Sequence, residues 1–178
     1  MKRLTFLILA FSFGQIANAQ SNLSATVRAQ LIKDWKLTKV LTNEYLNTMP
    51  SDKYGFKASD SIRSFAQQML HLAQVTAAMV SHGTGEERLF ARGTNLEQRP
   101  TAQTKDSVLY YVNTSYDYAI RAIQKFDMSK LDEKVKVRNM EETRLGWLLK
   151  AFDHQTHHRG QTAIYIRLAG LRPPTWVE

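Results

Sequence analysis

The chain has 178 residues, no cysteine, and 24 basic against 16 acidic residues, which gives a net charge of +8 at neutral pH. This length suffices for one sizeable hydrophobic core but not for two large domains. The lack of cysteine excludes disulfide bonds, a thiol nucleophile and cysteine-ligated metal, so any metal site has to use histidine and carboxylate ligands. The basic residues are spread along the chain without a nucleic-acid motif, and we expect no nucleic-acid partner.

The first 19 residues have the layout of a secretory signal peptide. Lys2 and Arg3 precede an apolar run over residues 4–13, and a small-x-small cleavage sequence ends at Ala19. The apolar run is shorter than the ~20 residues that a membrane-spanning helix needs. We therefore expect cleavage before Gln20, no stable membrane anchor, and a mature protein that is periplasmic or secreted.

In the mature chain, residues 20–178, four segments carry apolar residues at helical spacing. They cover, in chain order, residues 24–48, residues 60–82, residues 104–126, and a segment that begins within 139–143 and runs to 168 or 169. We expect Gly83 to cap the second helix and Gly170 to end the fourth. Four long helices in a chain of this length predict an all-α four-helix bundle.

The connections between these segments are less regular. Residues 83–102 read as a loop, and residues 127–140 form a charged linker in which Val135 and Val137 alternate over a short stretch, as in a strand. The fourth helix has two candidate N-terminal caps. One is Asn139, with Glu142 three residues later, and the other is Thr143.

The fourth predicted helix contains the run His154-Gln-Thr-His157-His158-Arg-Gly-Gln161. At about 100° per residue, His154 and His158 lie one turn apart on one face, where both imidazoles can bind one ion. His157 diverges from His158 by about 100°, so we expect it behind the ligands or at the surface. Gln161 lies one turn beyond His158 and either orients a water molecule or satisfies a buried neighbour.

Four neighbours of these histidines have weaker predicted roles. Asp153 either orients a ligand imidazole or is solvated, and Arg159 points away from the ligand face. Gly160 costs about 1 kcal/mol relative to alanine inside a helix, and close helix packing would explain its presence. We expect Tyr165 to be a core aromatic residue rather than an acid catalyst.

The remaining histidines, His71 and His82, both lie in the second predicted helix. His82 stands at the helix end, where a cation interacts favourably with the last carbonyls. His71 lies at the edge of the apolar stripe, and the residues alone leave open whether it is a core histidine or a ligand. Together with His154 and His158 it would give three nitrogen ligands, a set that favours Zn²⁺ or Ni²⁺ with a position left for water.

The run from His154 to Gln161, followed by Gly170 and Pro173-Pro174, closely resembles the C-terminal signature of the DinB/YfiT-like family. The segment Phe65-Ala-Gln-Gln-Met-Leu-His71-Leu-Ala resembles its second-helix segment, and the resemblance spans nearly the whole mature chain. It implies an antiparallel four-helix bundle with a long crossover connection, often dimeric. It also implies a divalent metal ion held by His71, His154 and His158.

The activity of this family is less well defined than its fold. Members are described in general terms as metal-dependent hydrolases or damage-inducible proteins, and some relatives transfer low-molecular-weight thiols such as bacillithiol or mycothiol. The signal peptide disfavours thiol transfer, because those thiols are cytoplasmic metabolites. We therefore expect an exported hydrolase that acts on an unidentified small molecule through metal-bound water. The alternatives are a thiol transferase and a non-catalytic metal-binding or interaction protein, and no residue stands out as a general base.

Overall fold

The computed structural model describes residues 2–175, with side chains described from Asn22 onward. The described elements are helices α1 (Lys2–Thr48), α2 (Phe65–Thr84), α3 (Lys105–Lys125) and α4 (Arg144–Leu168), and strands β1 (Lys134–Val137) and β2 (Met140–Thr143). The predicted signal peptide, residues 1–19, falls outside the part of the chain whose side chains are described. Among the described residues, no helix combines the length and apolarity needed to cross a membrane.

Helices α2 and α4 pack together in opposite directions. At one end of the pair, Arg144 Nη1 at the start of α4 donates to the Gly83 carbonyl near the end of α2, at 3.2 Å. At the other end, the Tyr165 hydroxyl late in α4 donates to the Arg63 carbonyl just before α2, at 2.8 Å. Side chains in the middle of α2 therefore face those in the middle of α4.

Helices α2 and α3 run in the same direction. The Tyr118 hydroxyl in the second half of α3 donates to the Glu87 carbonyl, just beyond the end of α2, at 2.8 Å. Residues 85–104 must therefore return along the length of the bundle, and they contain two short 3₁₀ turns, Leu96–Gln98 and Pro100–Ala102. The predicted all-α four-helix bundle with a long crossover is confirmed.

The starts of the helices are fixed by side-chain caps. Ser64 and Gln67 form a reciprocal capping box, so α2 begins at Phe65 rather than near residue 60. Thr143 accepts a hydrogen bond from the Gly146 amide at 3.0 Å and caps α4. Of the two predicted caps for α4, Thr143 is therefore correct.

The end of α2 differs from the prediction. The capping residue is Gly85, which has the left-handed φ of 77° that favours glycine, and its amide donates to the Ser81 carbonyl at 2.8 Å. Gly83 lies inside the helix and is buried against α4. A Cβ atom at Gly83 would lie 2.9 Å from Leu148 Cγ, so this glycine allows two helices to approach closely.

The short predicted strand at Val135 and Val137 is confirmed as β1, which pairs with β2 in an antiparallel hairpin. Arg138 and Asn139 form its two-residue turn. Asn139 is therefore part of the hairpin and not a helix cap. Arg138 has a φ of 54°, a left-handed conformation that is unfavourable for a long side chain.

Candidate metal centre

Three histidines converge between α2 and α4. One nitrogen atom from each of His71, His154 and His158 lies within 4.8 Å of the others. The ring centroids of His154 and His158 are 4.3 Å apart, and that of His71 is 4.6 Å from His158. The structure therefore brings together the three residues that the sequence pointed to, across an antiparallel helix pair.

Each of the three imidazoles has a hydrogen-bonding partner at its Nδ1 atom. The distances from Nδ1 to the partner atom are 2.6 Å for His71 and Glu97 Oε1, 3.3 Å for His154 and Thr76 Oγ1, and 2.7 Å for His158 and Gln68 Nε2. An amide has a donor and an acceptor end, so Gln68 can pair with either tautomer of its histidine. With Nδ1 engaged, the Nε2 atom of each ring is the one left for an ion, and partners of this kind fix ring orientation in metal sites.

Glu97 connects His71 to the crossover. It belongs to the 3₁₀ turn Leu96–Gln98, and its second carboxylate oxygen accepts a 2.5 Å hydrogen bond from Arg63 Nε. Burial raises the pKa of Glu97, but the hydrogen bonds from Arg63 and His71 outweigh it, so the pKa falls below its usual value. An ionised carboxylate is therefore held against the Nδ1 atom of His71.

The environment keeps two of the histidines neutral. Burial, followed by the neighbouring His158 and His71, lowers the pKa of His154 to about 3. Burial, followed by His71 and His157, lowers the pKa of His158 to about 4. A neutral imidazole has the free electron pair that a metal ion requires, so these two rings are in the ligand-competent state at neutral pH.

Behind His158 lies a chain of amide groups. The side-chain amides of Gln68 and Gln161 contact each other, and Gln161 Nε2 lies 3.0 Å from Nε2 of the exposed His157. Gln161 is therefore next to the histidine cluster, as predicted, and its amide contacts Gln68 and His157. His157 lies at the surface, which agrees with its predicted role.

The opposite side of α4 is fixed by a buried polar network. The Tyr116 hydroxyl of α3 donates to Gln155 Oε1 at 2.7 Å and lies 2.7 Å from the Thr42 hydroxyl of α1. Arg159 Nη1 donates to the same Gln155 oxygen at 2.8 Å. Gln155 and Arg159 each follow a candidate ligand by one residue, so the network sets the rotation of α4 that turns His154 and His158 toward α2.

The centre is partly open to solvent. The His71 side chain is 19% exposed and His158 is 8% exposed, while His154 is half-buried. Within the described residues, the cluster contains these three histidines and no fourth ligand of the His, Cys, Asp or Glu type. Three converging imidazoles with remaining access suit a divalent metal ion that keeps one position open.

Sequence reasoning missed the residues that support the ligands. Asp153 is exposed, which agrees with the solvated alternative for it, and Glu97 is the carboxylate that contacts a ligand. Gln68 and Thr76 were also missed. Both lie on α2, three residues before and five after His71, and no spacing rule within α4 could have identified them. The expectation of close packing at Gly160 is wrong as well, since that glycine is exposed and a Cβ atom there would meet nothing within 4 Å.

Comparisons with known proteins point to one family. The model of the DinB family matches residues 19–177. A DinB-like protein from Bacillus cereus superposes with a TM-score of 0.68 at 18% identity, covering 82% of this chain and 94% of its own. The DinB-like protein YjoA from Bacillus subtilis gives a TM-score of 0.65 at 16% identity, covering 84% and 99%. No curated protein gave a match.

Proposed function

The chain belongs to the DinB family, and we propose that it is an exported metal-dependent hydrolase whose metal ion is held by His71, His154 and His158. The observation that carries the proposal is the convergence of one nitrogen from each ring to within 4.8 Å. Three nitrogen donors favour Zn²⁺ or Ni²⁺ among the divalent ions. When bound, such an ion would polarise a substrate oxygen and activate water for attack on a small molecule.

The residues around the histidines prepare them for this role. Glu97 Oε1 accepts from the Nδ1 atom of His71 and holds the proton there, which leaves Nε2 free. Arg63 keeps the Glu97 carboxylate ionised. Gln161, one turn beyond His158, is the side chain that we propose to orient water or substrate.

The accessibility of the centre supports a catalytic role over a purely structural one. A structural zinc site is closed by four protein ligands, whereas a catalytic site keeps a position for water or substrate. Among the described residues the cluster supplies three protein ligands, and the His71 side chain is partly exposed. A non-catalytic metal protein is the second candidate, because the three histidines join α2 to α4 and an ion there would also link those helices.

The ligand assignment is tested by metal analysis of the purified mature protein and four alanine variants. We expect stoichiometric metal in the unmodified protein and in His157→Ala, and its loss in His71→Ala, His154→Ala and His158→Ala. His157 is the matched control, because it lies on the same turn of α4 and is exposed. Full metal content in any of the three ligand variants would contradict the assignment.

The hydrolase assignment is tested with a panel of small carboxylic esters, amides and phosphoesters. We expect turnover that requires the metal, disappears in His158→Ala, and falls in Gln161→Ala without loss of metal. Turnover that appears only when a low-molecular-weight thiol is added would instead support a thiol transferase. Full metal content without turnover on either panel would support the non-catalytic alternative.

Export and self-association are separate parts of the proposal. The charge and apolar pattern of residues 1–19 supports cleavage between Ala19 and Gln20, which N-terminal sequencing of the periplasmic and medium fractions tests. A protein that retains Met1 in the cytoplasm would contradict export. Light scattering of the purified protein tests the proposed homodimer, for which a monomeric mass would be the contradicting result.

A further inference from the structure

A recess separate from the metal centre is lined by none of the three candidate ligands. It has a volume of about 700 Å³ and is bounded by α2, by residues 88–94 of the crossover, by the hairpin turn and by Trp147 of α4. Its α2 wall starts at Gln74, three residues after His71. This volume lies within the ~300–1,000 Å³ range of small-molecule sites. We call this recess the arginine pocket, after Arg88, Arg92 and Arg138, which line it.

The charge of the arginine pocket has one sign. No lining residue described in the structure carries a carboxylate, and none of the three arginines forms an ion pair with a described acidic residue. Elsewhere in the described chain Arg63 and Arg144 are both paired with glutamates. The pocket therefore offers guanidinium groups that are available to an anion, and a guanidinium binds carboxylate, sulfonate or phosphate groups through two parallel hydrogen bonds.

His82 is affected by the positive charge of the arginines that line the pocket. Its Nε2 atom lies 3.2 Å from Arg88 Nη2, and its ring packs against Trp147 with the centroids 5.1 Å apart. Burial, followed by the charges of Arg88 and Arg92, lowers its pKa. The lowered pKa favours the neutral ring beside the pocket, whereas the sequence predicted a cation at the helix end.

Part of the wall of the arginine pocket is apolar. It is formed by side chains from α2, the crossover, the hairpin and α4, namely Val75, Met79, Phe90, Met140 and Trp147. An inorganic anion would use the arginines but leave this wall uncovered. A ligand that satisfies both surfaces carries an anionic group at one end and an apolar chain or ring at the other.

The backbone at Arg138 adds independent support. A two-residue hairpin turn with positive φ usually has glycine or asparagine there, whereas this turn has arginine with φ 54°. The chain keeps a strained residue at the point where its guanidinium can face the pocket from the hairpin. Arg92 and Arg88 approach from the crossover, so that cations reach the pocket from two separate elements.

We propose that the arginine pocket binds a small organic anion, with its charged group on the arginines and its apolar body against α2 and Trp147. The proposal goes beyond the metal chemistry and does not depend on it, because the pocket is formed by other residues. It can therefore fail while the metal assignment holds, and the reverse is also true.

The test uses isothermal titration calorimetry with three probes: 1-octanesulfonate below its micelle concentration, methanesulfonate and 1-octanol. A sulfonate coordinates metal ions poorly, and the titration is repeated with His71→Ala to separate the two sites. We expect octanesulfonate to bind about tenfold or more tightly than either single-feature probe, in both proteins. We also expect it to shift the NMR signal of the Trp147 indole N–H.

The arginines are tested with the double variant Arg92→Gln/Arg138→Gln, whose side chains are both exposed. We expect octanesulfonate affinity to fall about tenfold or more, with octanol binding unchanged. The matched control, Lys33→Gln/Arg121→Gln, removes two exposed charges outside the pocket and should change affinity by less than about twofold. The proposal is overturned by equal binding of octanol, by full octanesulfonate affinity in the double variant, by an equal loss in the control, or by loss of binding in His71→Ala.

Discussion

At the scale of single residues, Glu97 offers a way to perturb the metal centre without removing a ligand. Its carboxylate lies 2.6 Å from His71 Nδ1. Glu97→Gln keeps the shape of the side chain but removes the charge that supports the imidazole, and we expect zinc affinity to fall by about 10- to 100-fold. Competition with a chromophoric chelator measures it. Glu87→Gln, an exposed carboxylate on the same crossover, is the control and should bind zinc normally.

The low pKa values of His154 and His158 should make the metal-free protein sensitive to acid. Burial, followed by neighbouring charges, lowers the pKa values of His154 and His158 to about 3 and about 4, against 6.5 in the unfolded chain. The unfolded chain therefore takes up protons first, and the free energy of unfolding falls as the pH drops from about 6.5 toward 4.

Urea unfolding at a series of pH values, in the presence of a chelator, measures this dependence. His154→Gln removes one of the two titrating groups, so its stability should fall less steeply with acid than that of the unmodified protein. Identical slopes for the two proteins would contradict the prediction, because His154 would then titrate alike in the folded and unfolded states.

At the scale of helices, substitution of two helical glycines by alanine should change the free energy of unfolding in opposite directions. A Cβ atom at Gly83 would lie 2.9 Å from Leu148 Cγ and 3.0 Å from the Arg144 carbonyl oxygen. Because α2 and α4 would have to separate, we expect Gly83→Ala to lower the free energy of unfolding by about 1–3 kcal/mol. A Cβ atom at Gly160 would meet nothing within 4 Å, so Gly160→Ala should raise the free energy of unfolding by about 0.5–1 kcal/mol. Urea denaturation of both variants measures the difference, and a loss of stability in Gly160→Ala would mean that this surface is covered.

Helical periodicity predicted the four helices well because each has an apolar face. The helix ends, however, were predicted from the nearest glycine, proline or polar residues. The crossover begins at Gly85 and not at Gly83, since a helix continues through a glycine when close packing favours it. Spacing within α4 was enough to pair His154 with His158. It could not reach Glu97, which is brought to His71 by the path of the crossover, a long-range feature without a local pattern.

At the scale of the whole molecule, the histidines join two helices that are far apart in sequence. The resemblance to a known family was needed to add His71 to the pair on α4, because its position at the edge of an apolar stripe also suits a core histidine. The direction of α2 relative to α4 then decides whether the rings can meet, and it depends on the whole bundle. A metal ion shared between these helices should therefore act on global stability and not only on local order.

An ion that binds only the folded protein stabilises it by about 2.7 kcal/mol at a hundredfold excess over its dissociation constant. For a domain of this size we expect Tm to rise by roughly 5–10 °C when Zn²⁺ is added to chelator-treated protein. His71→Ala and His158→Ala should show no such rise, because each removes a ligand from one of the two helices, whereas His157→Ala should show it in full. Calorimetry with Mg²⁺, which prefers oxygen ligands, controls for non-specific effects. A rise that persists in His71→Ala would place the stabilising ion on α4 alone and remove α2 from the site.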